Sequence, residues 1–176
     1  MHRIKISLRL CALALFLWTS AIPAARDALK DTRDEFLRAY AAAARAPTSP
    51  AADSKDLRAY PLYPYLEVAR IQGELAAVTA PSAHPADERA AAFLRAYDDE
   101  PFARELRRVW LLSLARRNLW ALYLEADRDI LRDDALRCHA LTARIALERT
   151  DGLAAQIIER WRLPRSQPEC ERAFEW

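Results

Sequence analysis

Tyr60-Pro61-Leu62-Tyr63-Pro64-Tyr65-Leu66-Glu67 sets three tyrosines and two prolines where one helix must stop and another must start. Proline has no N–H for an interior helical hydrogen bond and pushes the residue before it out of the α region, so Tyr60 ends one element. Pro64 suits the first turn of the next, where the missing donor would have been unpaired anyway. Tyr65, Leu66, Val68, Ala69, Ile71, Gln72 and Leu75 then follow at helical spacing. The octapeptide therefore predicts a helix-to-helix corner whose tyrosines pack into a core. A sugar-stacking platform is the alternative use of the rings.

The same punctuation continues in both directions. Upstream, the spacing predicts a helix from Asp27 to about Ala46 that buries Leu29, Phe36, Leu37, Tyr40 and Ala44, stopped by Pro47-Thr48-Ser49-Pro50. A short helix capped by Asp53 or Ser54 then leads through Leu57 to the corner. Downstream, the corner helix fades near Val78, residues 79–84 form a loop, and Pro85 opens a helix carrying Phe93, Leu94 and Tyr97. Asp98-Asp99-Glu100-Pro101 begins another, with Phe102, Leu106, Val109, Trp110, Ser113 and Leu114. It breaks near Asn118 and resumes through Leu119 to Leu124. Asp133 can cap a helix bearing Leu136, Cys138, Leu141, Ile145 and Ala146, closed by Asp151-Gly152 as a left-handed stop. A further helix covers Leu153 to about Leu163, ended by Pro164. Ser166 and Glu169 have the spacing of a capping box for a last helix, whose inner side would be Cys170, Ala173, Phe174 and Trp176.

Alanine, leucine, arginine and glutamate dominate, only two glycines are present, and no alternating β-branched run occurs. The fold expected is all-α. Connections of a few residues make sequential helices pack antiparallel, so the chain reads as stacked helical hairpins in an irregular α-superhelix, with a plain helical bundle as the alternative. The closing apolar helix, which stops on Trp176, suggests either a piece of a longer protein or a module that needs a partner surface.

Residues 1–25 have the form of a secretory signal: Arg3, Lys5 and Arg9, an apolar run from Leu10 to Trp18, then small residues up to Ala25. The run is short for a bilayer span. Removing it takes three of the 27 basic residues and none of the 25 acidic ones, so the balance falls from +2 to −1 for residues 26–176. That near-neutral total offers no electrostatic footprint for nucleic acid. Cys138 and Cys170 remain. In an exported protein they read as a disulfide, with two buried free thiols as the alternative. His84 and His139 lie at no metal-ligand spacing and there is no C-x-x-C, so neither a metal nor a cofactor is expected.

Tyr60 to Glu67, the Leu114-Ala115-Arg116-Arg117 segment followed by Trp120, Cys138, and the closing Ser166-Gln167-Pro168-Glu169-Cys170 with Phe174 and Trp176 together resemble the N-terminal region of large soluble periplasmic lytic transglycosylases of Gram-negative bacteria. The likeness runs, in order, over nearly the whole of residues 26–176. It implies part of a U-shaped α-superhelix with a disulfide between Cys138 and Cys170, and marks Tyr60, Pro61, Tyr63, Pro64, Tyr65 and Glu67 as a family motif. It also implies peptidoglycan as the partner of the parent protein and cleavage of the MurNAc–GlcNAc bond to a 1,6-anhydro product. The catalytic glutamate of that family belongs to a Glu-Ser pair in a separate lysozyme-like domain. No Glu-Ser pair occurs in these 176 residues, so no catalytic residue is assigned. The remaining superhelix and the lysozyme-like domain would be missing partners of this chain.

Glu67, Glu74, Glu105, Glu125 and Glu148 fall among polar helical neighbours and are expected on solvated faces. Arg107, Arg108, Arg116 and Arg117 are the candidates for glycan contact, together with the tyrosines of the corner. Periplasmic scaffolding of glycan strands is the function expected. A stand-alone periplasmic helical-repeat adaptor, binding another protein near Trp176, is the alternative.

Overall fold

The computed structural model describes residues 21–98, 100–128, 131 and 133–176, with side chains from residue 29 onward. The expected signal segment, apart from the backbone of residues 21–25, lies outside the described residues. Every regular element described is helical: α1 (Ala21–Ala43), α2 (Lys55–Arg58), α3 (Tyr63–Ala77), α4 (Pro85–Ala96), α5 (Pro101–Arg116), α6 (Trp120–Ala126), α7 (Asp134–Ala146), α8 (Leu153–Trp161) and α9 (Glu171–Glu175). Two 3-10 turns, Pro50–Ala52 and Pro168–Cys170, lie in the connections.

The long helices α1, α3, α5 and α7 pack in succession, each against the next, with α2, α4 and α6 seated between them. Three apolar clusters follow the chain. Phe36, Ala43, Leu57 and Leu66 fill the first, between α1, α2 and α3. The largest joins α3 through α7 around Leu75, Leu106, Trp110, Leu111, Leu114 and Tyr123. Cys138, Leu141, Leu153, Ile157, Cys170 and Ala173 form the third, between α7, α8 and the C-terminal turn. Gly73 lets α3 pass close to α1, since a Cβ there would sit 3.3 Å from the Ala43 carbonyl oxygen.

Local signals explain most element boundaries. Ser54 caps α2 by accepting from the Leu57 N–H at 3.0 Å, and Asp133 caps α7 by accepting from Ala135 and Leu136. The break after α5 falls at Asn118, with φ 58°. There the Leu119 N–H reaches the Leu114 carbonyl and the Asn118 N–H the Ala115 carbonyl, the two bonds of a Schellman closure.

Several expectations are corrected. On α1 only Phe36 of the expected set is buried, whereas Leu29, Leu37, Tyr40 and Ala44 are exposed. Among the described residues the helix packs chiefly on α2 and α3, through a narrow stripe of Phe36, Ala39 and Ala43 at i, i+3 and i+7. Gly152 is left-handed as expected, with φ 65°, but it stands at the start of α8. The left-handed residue that closes α7 is Glu148, with Glu148 N–H to Ile145 and Arg149 N–H to Arg144. Ser166 and Glu169 form no capping box. The chain makes a 3-10 turn there, and Gln167 Nε2 donates to the Arg160 carbonyl at 2.9 Å instead. The capping box present belongs to His84 and Asp87 at the start of α4. On the last helix Cys170 and Ala173 are buried, Phe174 is half-buried and Trp176 is exposed.

Candidate functional site

The octapeptide makes the corner between α2 and α3, with Pro64 in the first turn of α3. Its tyrosines divide by position. The Tyr60 ring meets Phe36 at 5.4 Å between centroids and Tyr65, 41% exposed, meets the edge of Phe102 at 4.8 Å. Tyr63 is half-buried, and its hydroxyl donates to Asp53 Oδ2 at 2.8 Å.

That hydrogen bond belongs to a buried ion pair. Arg70, about two turns along α3, donates from both terminal nitrogens to the two Asp53 oxygens at 2.7 and 2.8 Å, and from Nε to Thr48 Oγ1 at 3.1 Å. Both side chains are more than nine-tenths buried. The Arg70 hydrogen bonds hold the Asp53 carboxyl below its ordinary pKa against the opposing effect of burial. Burial, reinforced by Asp53, pushes the Tyr63 phenol above its ordinary value. The pair ties the loop of residues 46–53 to α3, so a fork of fixed geometry holds the corner shut.

Beside it opens a cleft of about 240 Å³ between that loop, α3 and α4. Pro50, Ile71, Ala92 and Phe93 line its apolar part, and Glu67, Arg70, Glu74 and Arg89 its polar part. Arg89 is held by Glu74 through Nε and a terminal nitrogen. Glu67 is half-buried and has no hydrogen-bond or ion-pair partner among the described residues. Burial raises its pKa, and nearby Asp53 adds to the effect while Arg70 opposes it. The expectation of a solvated Glu67 is thus corrected. Its spacing of four from Ile71 and seven from Glu74 was the available signal, because those positions share one helical face.

The four arginines expected near glycan part company. Arg117 is fully internal, donating to Asp87 at 2.5 and 3.0 Å and to the carbonyls of Ser82 and Ser113. Arg107 is buried between Asp98 and the Ala126 carbonyl. Arg116 reaches the Leu75 and Val78 carbonyls at the end of α3, and Arg108 pairs with Asp133 at 2.8 Å; both are on the exposed side. Arg107 and Arg117 are therefore positioning groups of the fold, and only Arg108 and Arg116 face solvent.

Sequence reading missed Asp87 altogether. Its carboxylate, 3% exposed, accepts from Arg117, from Trp110 Nε1 at 2.9 Å and from the His84 N–H at 2.8 Å, joining a loop to α4 and α5. Burial alone would raise its pKa, but these three donors outweigh it and leave the group below the ordinary carboxylate value. The only sequence cue was an aspartate three residues after a loop histidine.

Cys138 and Cys170 are joined as a disulfide across 32 residues, linking α7 to the C-terminal turn. The groups lying against this end are apolar and open: Ile158 and Trp161 on α8 are at least half exposed, and the Trp161 ring stands edge-on to Phe174 at 4.9 Å. Among the described residues no group of three or more His, Cys, Asp or Glu side chains is placed to hold a metal ion, and no helix is long and apolar enough to cross a membrane. Compared with known proteins, the chain matches no family model, no curated protein and no solved structure.

Proposed function

We propose that this chain is a non-catalytic, superhelical portion of a peptidoglycan lytic transglycosylase, exported to the periplasm, which helps hold glycan strands near an active site supplied by a lysozyme-like domain elsewhere. The observation that supports this reading most is the Cys138–Cys170 disulfide, because it joins the two positions that the sequence resemblance pairs. The octapeptide adds support by forming a corner between two helices in which Tyr63 donates to Asp53 of the buried Asp53–Arg70 pair, a rigid element suited to a wall. In this role Arg108 and Arg116 are the arginines available to sugar or peptide carboxylates, and the parent protein would cleave the MurNAc–GlcNAc bond with a 1,6-anhydro product.

The test begins with the coding DNA beyond codon 176. In-frame or once-frameshifted continuation into helices and a Glu-Ser-containing domain is the expected result, and the restored chain should bind murein sacculi and release 1,6-anhydro sugars. A stop followed by an unrelated reading frame would remove this reading. It would favour the second one, a periplasmic adaptor that captures another protein, which the exposed Ile158, Trp161 and Trp176 support.

A further inference from the structure

We propose that the cleft beside the corner is a binding site for an aliphatic primary ammonium group, with Glu67 as its counter-ion and Ile71, Ala92 and Phe93 against its methylene stem. This inference does not depend on the cell-wall reading.

Which charged groups of the cleft are already paired decides the sign of the ligand. Four ionisable groups line it, Glu67, Arg70, Glu74 and Arg89, with Asp53 behind Arg70 and Arg58 held at the Pro50 carbonyl. Arg70 is committed to Asp53 through two parallel hydrogen bonds, and Arg89 to Glu74 through Nε and a terminal nitrogen that share one carboxylate oxygen. Glu67 is the lining carboxylate with neither a hydrogen-bond nor an ion-pair partner among the described residues. A half-buried carboxylate that receives no hydrogen bond from the protein gains from a cation that also donates hydrogen bonds.

Shape decides the rest. A volume of about 240 Å³ is below the roughly 300–1,000 Å³ of sites for drug-sized ligands, so it fits a single chain of several atoms. Phe93 and Ile71 form an apolar wall along α4 and α3. A planar guanidinium ligand would compete with Arg70 and Arg89, which already occupy the adjoining carboxylates. A slim ammonium on a flexible stem needs only the one acceptor.

Nuclear magnetic resonance titration of the whole chain, following the amides of Glu67, Ile71 and Ala92, tests the assignment. The probes are n-hexylamine, neutral n-hexanol and anionic hexanoate at matched ionic strength. Hexylamine should bind about tenfold more tightly than hexanol, as a charge-assisted hydrogen bond implies, and hexanoate more weakly than either. Glu67→Gln should bring the amine and the alcohol together, whereas Ala92→Leu, at an exposed lining position, should weaken both by filling the cleft. Nα-acetyl-lysine N-methylamide separates the sources: tighter binding than hexylamine assigns a peptide side chain, weaker binding a free amine. Equal binding of amine and alcohol to the unaltered chain, preference for hexanoate, or an amine preference that survives Glu67→Gln would each overturn the proposal.

Discussion

Two carboxylates of this protein respond to pH with opposite sign. Asp87 is held below its ordinary value by Arg117 and the donors from His84 and Trp110, which prevail over burial. Between its folded value and the unfolded value of about 3.9 the unfolded chain binds more protons, so Asp87 stabilises the fold fully above that range and the gain is lost as pH falls through the folded value. Glu67 is raised by burial. From about 4.3 upward to its folded value the folded chain binds more protons, so this group withdraws stability as pH rises. Asp87→Ala leaves the Arg117 guanidinium buried without its carboxylate and should cost about 3–5 kcal/mol in urea denaturation at pH 7. Glu67→Gln should raise the thermal midpoint at pH 7 and leave it unchanged near pH 3, where Glu67 is already protonated. An equal shift at both pH values would mean that ionisation of Glu67 is not the cause. Neither group could be ranked from its neighbours in sequence, because Arg117 lies 30 residues from Asp87 and the other walls of the cleft at Glu67 come from α4 and the loop of residues 46–53.

Helix ends show where local chemistry suffices. Ser54, Asp133, Pro64, Pro85 and Pro101 all start helices at or within a residue of where their types require, since capping and proline effects act inside one turn. Left-handed closures are less legible. Asn118 tolerates positive φ, but Glu148 adopts φ 56° with a full side chain, while the glycine of the same connection, Gly152, is used at the start of the next helix. Glu148→Gly should therefore stabilise the protein by about 0.5–1 kcal/mol, because the strain removed exceeds the entropy added to the unfolded chain. Asn118→Gly should change stability by only a few tenths of a kcal/mol. Chemical denaturation of both variants checks the difference, and an equal or reversed order would show that the Schellman geometry carries no strain at Glu148. The outer face of α1 makes the complementary point. Leu29, Leu37 and Tyr40 have core-like spacing, yet no second layer of the described chain covers them.

At the level of the whole molecule, the disulfide fastens the third apolar cluster. Closing a loop of this length is worth about 3–4 kcal/mol in the chain-entropy account, so reduction, or Cys138→Ser with Cys170→Ser, should lower unfolding stability by that amount. Because the third apolar cluster is much smaller than the one joining α3 through α7, hydrogen exchange should quicken first in 153–176 and leave α3 to α5 protected; uniform loss of protection would show one cooperative unit instead. Composition, proline placement and cap residues were enough to specify an all-helical chain and most of its helix limits, because each acts over a few bonds of backbone. The order of helices in the row, the two internal arginines, the Asp87 hub and the half-buried Glu67 came from tertiary packing. A charged side chain's burial and partner depend on which distant segment folds over it, and no local pattern encodes that.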